Sequence, residues 1–139
     1  MSSDCLFCRI AAGEIPCTKV HEDDVCLSFM DINPISPGHT LIIPKRHYTY
    51  VMDMPPDEAG HIGSLVPRLA AAVKAAVGAD GLNLLENNGR SAGQVVMHVH
   101  FHLIPRWPGD ELGFRWPAKK ADFGVLKQQA EKIQAGLKG

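Results

Sequence analysis

The run His98-Val99-His100-Phe101-His102-Leu103-Ile104 alternates imidazoles with apolar side chains. On a strand this period of two puts His98, His100 and His102 on one face and Val99, Phe101 and Leu103 in the core. A solvated strand face normally mixes charges and hydroxyls, so three imidazoles in a row on an apolar strand point to chemistry. Two chemistries compete. Three histidines can hold a zinc ion with an open coordination position, as in a hydrolase. Alternatively, one histidine attacks phosphorus and splits one displacement into two, while its neighbours donate hydrogen bonds to the phosphoryl oxygens. The preceding loop, Asn87-Asn88-Gly89-Arg90-Ser91-Ala92-Gly93-Gln94, is rich in small residues and amides, and its N–H groups are expected to turn inward as an anion nest. A phosphate cradle beside the histidines favours phosphoryl chemistry.

A second feature lies at the start of the chain. Cys5-x-x-Cys8 suits metal or redox chemistry, and redox pairs usually follow a βαβ context that is absent here. With no basic and apolar leader at Met1-Ser2-Ser3-Asp4-Cys5, the chain is expected to be cytoplasmic and its four cysteines reduced. Cys17, Cys26, His21 and His61 have no partner pattern and read as structural or surface residues.

The elements that must position these residues follow from periodicity and punctuation. Residues 18–21 and 25–31 read as a hairpin around Glu22-Asp23-Asp24, with Val25, Leu27 and Phe29 on one face. A turn-rich loop then leads to a strand at 39–44, expected to pair back on the previous one. Apolar residues Ala59, Ile62, Val66, Leu69, Val73 and Ala76 recur at helical spacing across 56–77, with Gly78 as the stop and Pro67 inside. One helix with a kink or displaced hydrogen bond is expected there. Residues 81–86 and 97–105 read as antiparallel neighbours joined by the glycine-containing loop. After an irregular, proline-broken stretch at 107–117, a final helix at about 122–137 carries Leu126, Ala130, Ile133 and Leu137 on one stripe. Strands and helices do not alternate as βαβ units, so the class is α+β.

A chain of 139 residues is read as one domain, residues 1–139, and 45% hydrophobic with 21% charged residues is an ordinary globular composition. A formal charge of −1 provides no basic field for nucleic acid or an anionic membrane, and no apolar run approaches spanning length, so neither is an expected partner.

Gly93-Gln94, three residues, and then His-φ-His-φ-His-φ-φ resembles the signature of the histidine triad (HIT) superfamily. The likeness runs from Cys5-Leu6-Phe7-Cys8-Arg9-Ile10 through Phe29-Met30-Asp31-Ile32 and Pro37-Gly38-His39-Thr40-Leu41-Ile42-Ile43-Pro44 to Ile104, and is greatest to the bacterial Hint-like branch. The resemblance implies a five-stranded antiparallel sheet with two helices, becoming ten-stranded across a homodimer. It implies a purine mononucleotide or nucleotide conjugate as substrate, with His100 attacking the α-phosphorus and His102 bonding the phosphoryl oxygens. Asn87 and the Gln94, Val95 and Val96 backbone would line that pocket, and His39 would lie on its phosphate side. Asp31 matches the ribose-binding acid, and Phe7, Ile10, Phe29 and Ile32 fall where the family packs the base; each could equally be plain core or, for Asp31, a turn carboxylate.

The same resemblance assigns structural zinc to Cys5, Cys8, His47 and His98, a Cys2His2 set, leaving metal-free chemistry to His100 and His102 with no organic cofactor. The expected activity is a hydrolase or nucleotidyl transferase acting on nucleoside 5′-phosphoramidates or related conjugates. Asn87, where the Fhit branch has Gln, favours this branch. Pro105-Arg106 keeps a dinucleoside polyphosphate hydrolase as the alternative, and Val95, standing where the family usually has Ser or Thr, keeps a nucleotide-binding module with negligible turnover.

Overall fold

Five short segments form the sheet, four of them largely apolar and the first, Lys-Val-His-Glu, polar: β1 (Lys19–Glu22), β2 (Cys26–Met30), β3 (Thr40–Pro44), β4 (Gly81–Glu86) and β5 (Phe101–Arg106). In the computed structural model, which describes residues 4–113 and 116–138, they pair antiparallel in the order β1-β2-β3-β5-β4. This is the expected α+β arrangement. Positions 114 and 115, within the irregular stretch expected at 107–117, lie outside the described residues.

β2 and β3 are buried on both faces because helices and loops cover both sides of the sheet centre. On one face lies helix α2 (Pro56–Val77), with Ile62, Leu65, Leu69 and Val73 packed on Cys26, Ile42, Val99 and Leu103. Each buried aliphatic side chain there contributes about 1.5–3 kcal/mol. On the other face Phe7, Leu27, Phe29, Leu41 and Ile43 form a second cluster. Phe7 belongs to α1 (Leu6–Ala11), a short helix that sequence periodicity did not reveal, so three α-helices stand among the described residues where two were expected.

α2 begins with Pro56, Asp57 and Glu58 in its first turn, as a helix N-terminus favours, and stops where Gly78 takes a left-handed φ of 65°. Pro67 lies on the exposed side and the helix continues through it as one element, so its missing N–H falls where water can serve the freed carbonyl. The buried stripe is rotated slightly from the expected one: Leu65 is buried, Val66 is half-buried and Ala76 is exposed.

The β5 ladder starts at Phe101 instead of residue 97, because residues 96–98 bend and the Val99 N–H donates to the Tyr48 carbonyl at 2.8 Å. Alternation persists through the bend, with Val99, Phe101 and Leu103 on the α2 face. α3 (Phe123–Leu137) is capped by the Asp122 carboxylate, yet its apolar stripe is not buried: Leu126, Ile133 and Leu137 are 44%, 65% and 81% exposed. Among the described residues, no helix is long and apolar enough to cross a membrane.

Candidate active site and metal centre

α1 places Cys5 and Cys8 one helical turn apart, the Cys8 N–H meeting the Cys5 sulfur at 3.4 Å. The segment after β3 brings His47, and the bend before β5 brings His98, so the four residues named for metal converge with all ligand atoms within 4.8 Å of one another. Cys5 Sγ to His98 Nδ1 is 3.3 Å, Cys8 Sγ to His47 Nδ1 3.3 Å, Cys8 Sγ to His98 Nδ1 3.6 Å, and the two Nδ1 atoms are 3.2 Å apart. A tetrahedral ion with metal–N of about 2.0 Å and metal–S of about 2.3 Å requires N···N near 3.3 Å and S···N near 3.5 Å. The donor set therefore fits zinc in both chemistry and spacing. His98 Nε2 donates to the Pro44 carbonyl at 2.8 Å, which fixes the tautomer with the Nδ1 lone pair facing the thiols. Burial pushes the His98 imidazole down to about 4, so it is neutral, as a ligand must be.

The other two triad histidines are fixed just as firmly. His100, 7% exposed, has Nδ1 at 2.8 Å from the His98 carbonyl; Nδ1 carries the proton and Nε2 keeps its lone pair. Burial holds His100 below the ordinary imidazole value, although the bond to the His98 carbonyl opposes this. The tautomer of His102 is set through its neighbour His39. The Ile35 N–H donates to His39 Nδ1 at 3.1 Å, so neutral His39 carries its proton on Nε2. That Nε2 lies 2.9 Å from His102 Nδ1 and 3.6 Å from Asp31 Oδ2. His102 thus accepts at Nδ1 and presents an N–H at Nε2. The His100 and His102 ring centroids are 4.8 Å apart, so a ring with a free nitrogen lone pair neighbours one that presents an N–H donor. Phe7 lies edge-on to both His98 and His100, at 5.9 and 5.0 Å between centroids, bridging the Cys2His2 group and the rest of the triad.

The loop between β4 and β5 departs from the expected anion nest. Gly89 and Gly93, at φ 91° and 93°, close the loop on itself, and the N–H groups of Gly89, Ala92, Gly93 and Gln94 bond acceptors within it. Gln94 is the clasp. Its Oε1 accepts from the Gly89 N–H at 2.7 Å and its Nε2 donates to the Thr49 carbonyl at 2.8 Å, which makes this buried side chain a loop-holding group. Asn88 adds a tie to Val51 N–H at 2.7 Å, while the Asn87 amide faces Gly93.

Of the residues placed at the base and ribose, Phe7 and Phe29 are buried in edge-on contact at 5.8 Å, Ile10 is half-buried against the same cluster, and Ile32 is 85% exposed. A cavity of about 240 Å³ opens beside Ile10, Ile15 and Leu27. Asp31 spends Oδ1 on the Asn33 N–H at 2.8 Å, leaving Oδ2 toward His39. Val95 is 87% exposed and brings no hydroxyl, while Val96 packs partly against the Phe7 cluster. Arg106 is bound twice to Asp110, at 2.7 and 2.9 Å, and once to Asn83 at 2.8 Å.

Sequence reasoning missed two things around these sites. α1 is too short for a periodic signal, although a Cys pair three apart suits one helical turn. His21 and His61, treated as unpartnered, both contact Asp23, two positions from His21 and 38 from His61, and no local pattern brings the distant imidazole to the turn.

Comparison with known proteins places this geometry in context. The HIT domain model matches residues 12–109. The chain is 45% identical over 134 residues to an adenylylsulfatase of Arabidopsis thaliana, covering 96% of this chain and 66% of that protein's length. It is 40% identical to an adenosine 5′-monophosphoramidase of Schizosaccharomyces pombe, over 96% of this chain and 98% of the yeast protein. Among solved structures, a Zn-bound histidine triad family protein from Mycobacterium smegmatis superposes with a TM-score of 0.74 at 36% identity, covering 96% of this chain and 97% of that one. With the family model spanning most of the chain, and with the triad and its loop inside the matched region, the chain belongs to the HIT domain family.

Proposed function

We propose that the chain hydrolyses purine nucleoside 5′-phosphoramidates or related mononucleotide conjugates at the α-phosphate, through a nucleotidyl-histidine intermediate. The observation that carries this reading is the His100 tautomer: Nδ1 is spent on the His98 carbonyl at 2.8 Å, so the free lone pair is at Nε2 beside the N–H of His102. In the first step His100 Nε2 forms a bond to the α-phosphorus as the P–N bond of the substrate breaks, and the leaving nitrogen takes a proton from solvent to depart as the amine. His102 Nε2–H donates to a phosphoryl oxygen as negative charge grows there. In the second step water attacks the phosphorus and gives up a proton to solvent, the bond between phosphorus and His100 Nε2 breaks, and nucleoside 5′-monophosphate and free imidazole are released. The names of the plant and yeast relatives, an adenylylsulfatase and an adenosine 5′-monophosphoramidase, agree with attack at an α-phosphate bearing different leaving groups.

Cys5, Cys8, His47 and His98 are proposed to hold one zinc ion, which ties α1 to the bend before β5 and takes no part in the reaction. The zinc-bound relative supports this assignment. Asp31, His39, Asn87 and the backbone at Gln94, Val95 and Val96 are proposed to line the nucleotide site, with Phe7, Ile10, Phe29 and Ile32 toward the base. The polyphosphate alternative rested on Arg106, whose guanidinium is engaged by Asp110 and Asn83. A homodimer with a continuous ten-stranded sheet is proposed as the working assembly.

The test is turnover of adenosine 5′-phosphoramidate beside diadenosine tri- and tetraphosphate, by wild type and His100→Ala, with bound zinc quantified in both. The expected result is preference for the phosphoramidate and a loss of roughly 10⁴-fold or more in His100→Ala at unchanged zinc content. Preference for the polyphosphates would instead establish the alternative substrate, and nucleotide binding without turnover would establish a binding module.

A further inference from the structure

On the side of the molecule where α2 meets the β1–β2 hairpin, Asp23 is the centre of a second cluster. Its Oδ1 accepts the Val25 and Cys26 N–H groups at 2.8 and 2.9 Å, which holds the carboxylate in place at the turn. Its Oδ2 is met by His21 Nε2 at 2.8 Å from β1 and by His61 Nε2 at 2.8 Å from α2, with the Cys26 sulfur 3.5 Å away. Three separate elements thus aim two imidazoles and a thiol at one carboxylate oxygen. The His21, Asp23 and Cys26 ligand atoms lie within 4.8 Å of one another.

We propose that His21, Asp23 and His61 bind a divalent transition-metal ion, with the Cys26 thiol at the floor of the site as a further donor. Two imidazoles and a sulfur select zinc, cobalt, nickel or copper over magnesium and calcium, which prefer oxygen ligands. Metal–ligand bonds of about 2.0–2.1 Å require neighbouring N and O donors about 2.9–3.3 Å apart, so each 2.8 Å Nε2···Oδ2 separation needs to open by only a few tenths of an ångström, while His61, which stands outside the group of mutually close ligand atoms, has to swing toward His21 and Cys26 to join them. On metal entry each Nε2 exchanges its contact with Asp23 Oδ2 for the ion, and the ring proton sits on Nδ1. The side chains of His21, Asp23 and His61 are 25%, 28% and 40% exposed, so an ion has access from solvent and water can complete its shell. Burial would push the Asp23 carboxyl up, but hydrogen bonds from His61, His21 and the two backbone N–H groups outweigh this and keep it ionised. Burial and then Asp23 push the Cys26 thiol up to about 12, so it stays protonated until a cation displaces the proton. Lys45 is committed to Glu22 at 2.8 Å.

The experiment is equilibrium dialysis of the full chain, as purified, against zinc chloride, with elemental analysis and circular dichroism on each variant. His61→Ala removes one ligand from the partly exposed side of α2. Asp23→Asn keeps an Oδ1 acceptor for the turn and removes the charge. Wild type is expected to bind one more equivalent than either variant, and Cys26→Ser to bind that equivalent about tenfold more weakly. If both folded variants retain every wild-type equivalent, or wild type binds none beyond the Cys5, Cys8, His47 and His98 cluster, the cluster is a hydrogen-bonded bridge alone and the proposal is overturned. Unchanged affinity in Cys26→Ser would remove the thiol from the ligand set.

Discussion

Three histidines two positions apart are directed to different work by the atom each finds at its other nitrogen. The Pro44 carbonyl turns His98 toward the thiols, the His98 carbonyl frees Nε2 of His100, and Ile35 acting through His39 makes His102 a donor. All of this depends on neutral rings. Burial, reinforced by His100 and His39, pushes His102 down from 6.5 to about 4. Between those values the unfolded chain binds more protons than the folded one, so stability is full above pH 6.5 and is lost as pH falls toward 4. Thermal unfolding followed from pH 7.5 to 4 is expected to show a falling Tm over this window, with a shallower fall in His102→Asn. An equally steep fall in the variant would mean that His102 titrates normally. The residue types at this site were legible because the motif fixes them. The tautomers were not, since they depend on carbonyls and an N–H whose positions only the fold determines.

Elements set where these residues stand. α2 was readable end to end, because 22 residues of helical periodicity closed by a glycine leave little room for another reading. α1 was not, since six residues do not amount to a period, and the start of β5 was misplaced because alternation continues through a bend that has left the ladder. Gly38 illustrates how tightly the elements converge behind His39. Its φ is +87°, and a Cβ there would lie 2.9 Å from Val77 Cγ1 and 3.2 Å from Pro105 Cγ. The turn into β3 therefore needs glycine both for its left-handed backbone and for clearance against α2 and β5. Gly38→Ala is expected to destabilise the chain by about 1–3 kcal/mol in chemical denaturation. A cost under about 0.5 kcal/mol would show that the turn relaxes freely.

At the scale of the whole molecule, the two sheet edges differ. β1 carries Lys19 and Glu22 and a register irregularity between Lys19 and His21, features that discourage strand addition. β4 pairs with β5 in unbroken register over six residues, with Leu84 49% exposed and a single charge at its end. The proposed ten-stranded sheet is therefore expected to form through β4. Light scattering on the eluting protein should give a dimer for wild type and a monomer for Leu84→Lys; a monomeric wild type would remove the ten-stranded sheet. The exposed stripe of α3 shows why such surfaces resist sequence reading, because an amphipathic pattern does not say whether its partner lies in the same chain. The Asp23 cluster was hidden for a related reason, its side chains being drawn from two strands, a turn and a helix.

The most direct test of the account is to mix the zinc-loaded protein with adenosine 5′-phosphoramidate, quench at alkaline pH where a phosphorus–nitrogen bond to imidazole survives, and map the modified peptide by mass spectrometry. An adenylyl group on His100, absent in His100→Ala and formed and lost on the timescale of turnover, is the predicted result. Adenylylation of another residue, or turnover that persists in a folded, zinc-bound His100→Ala, would contradict it.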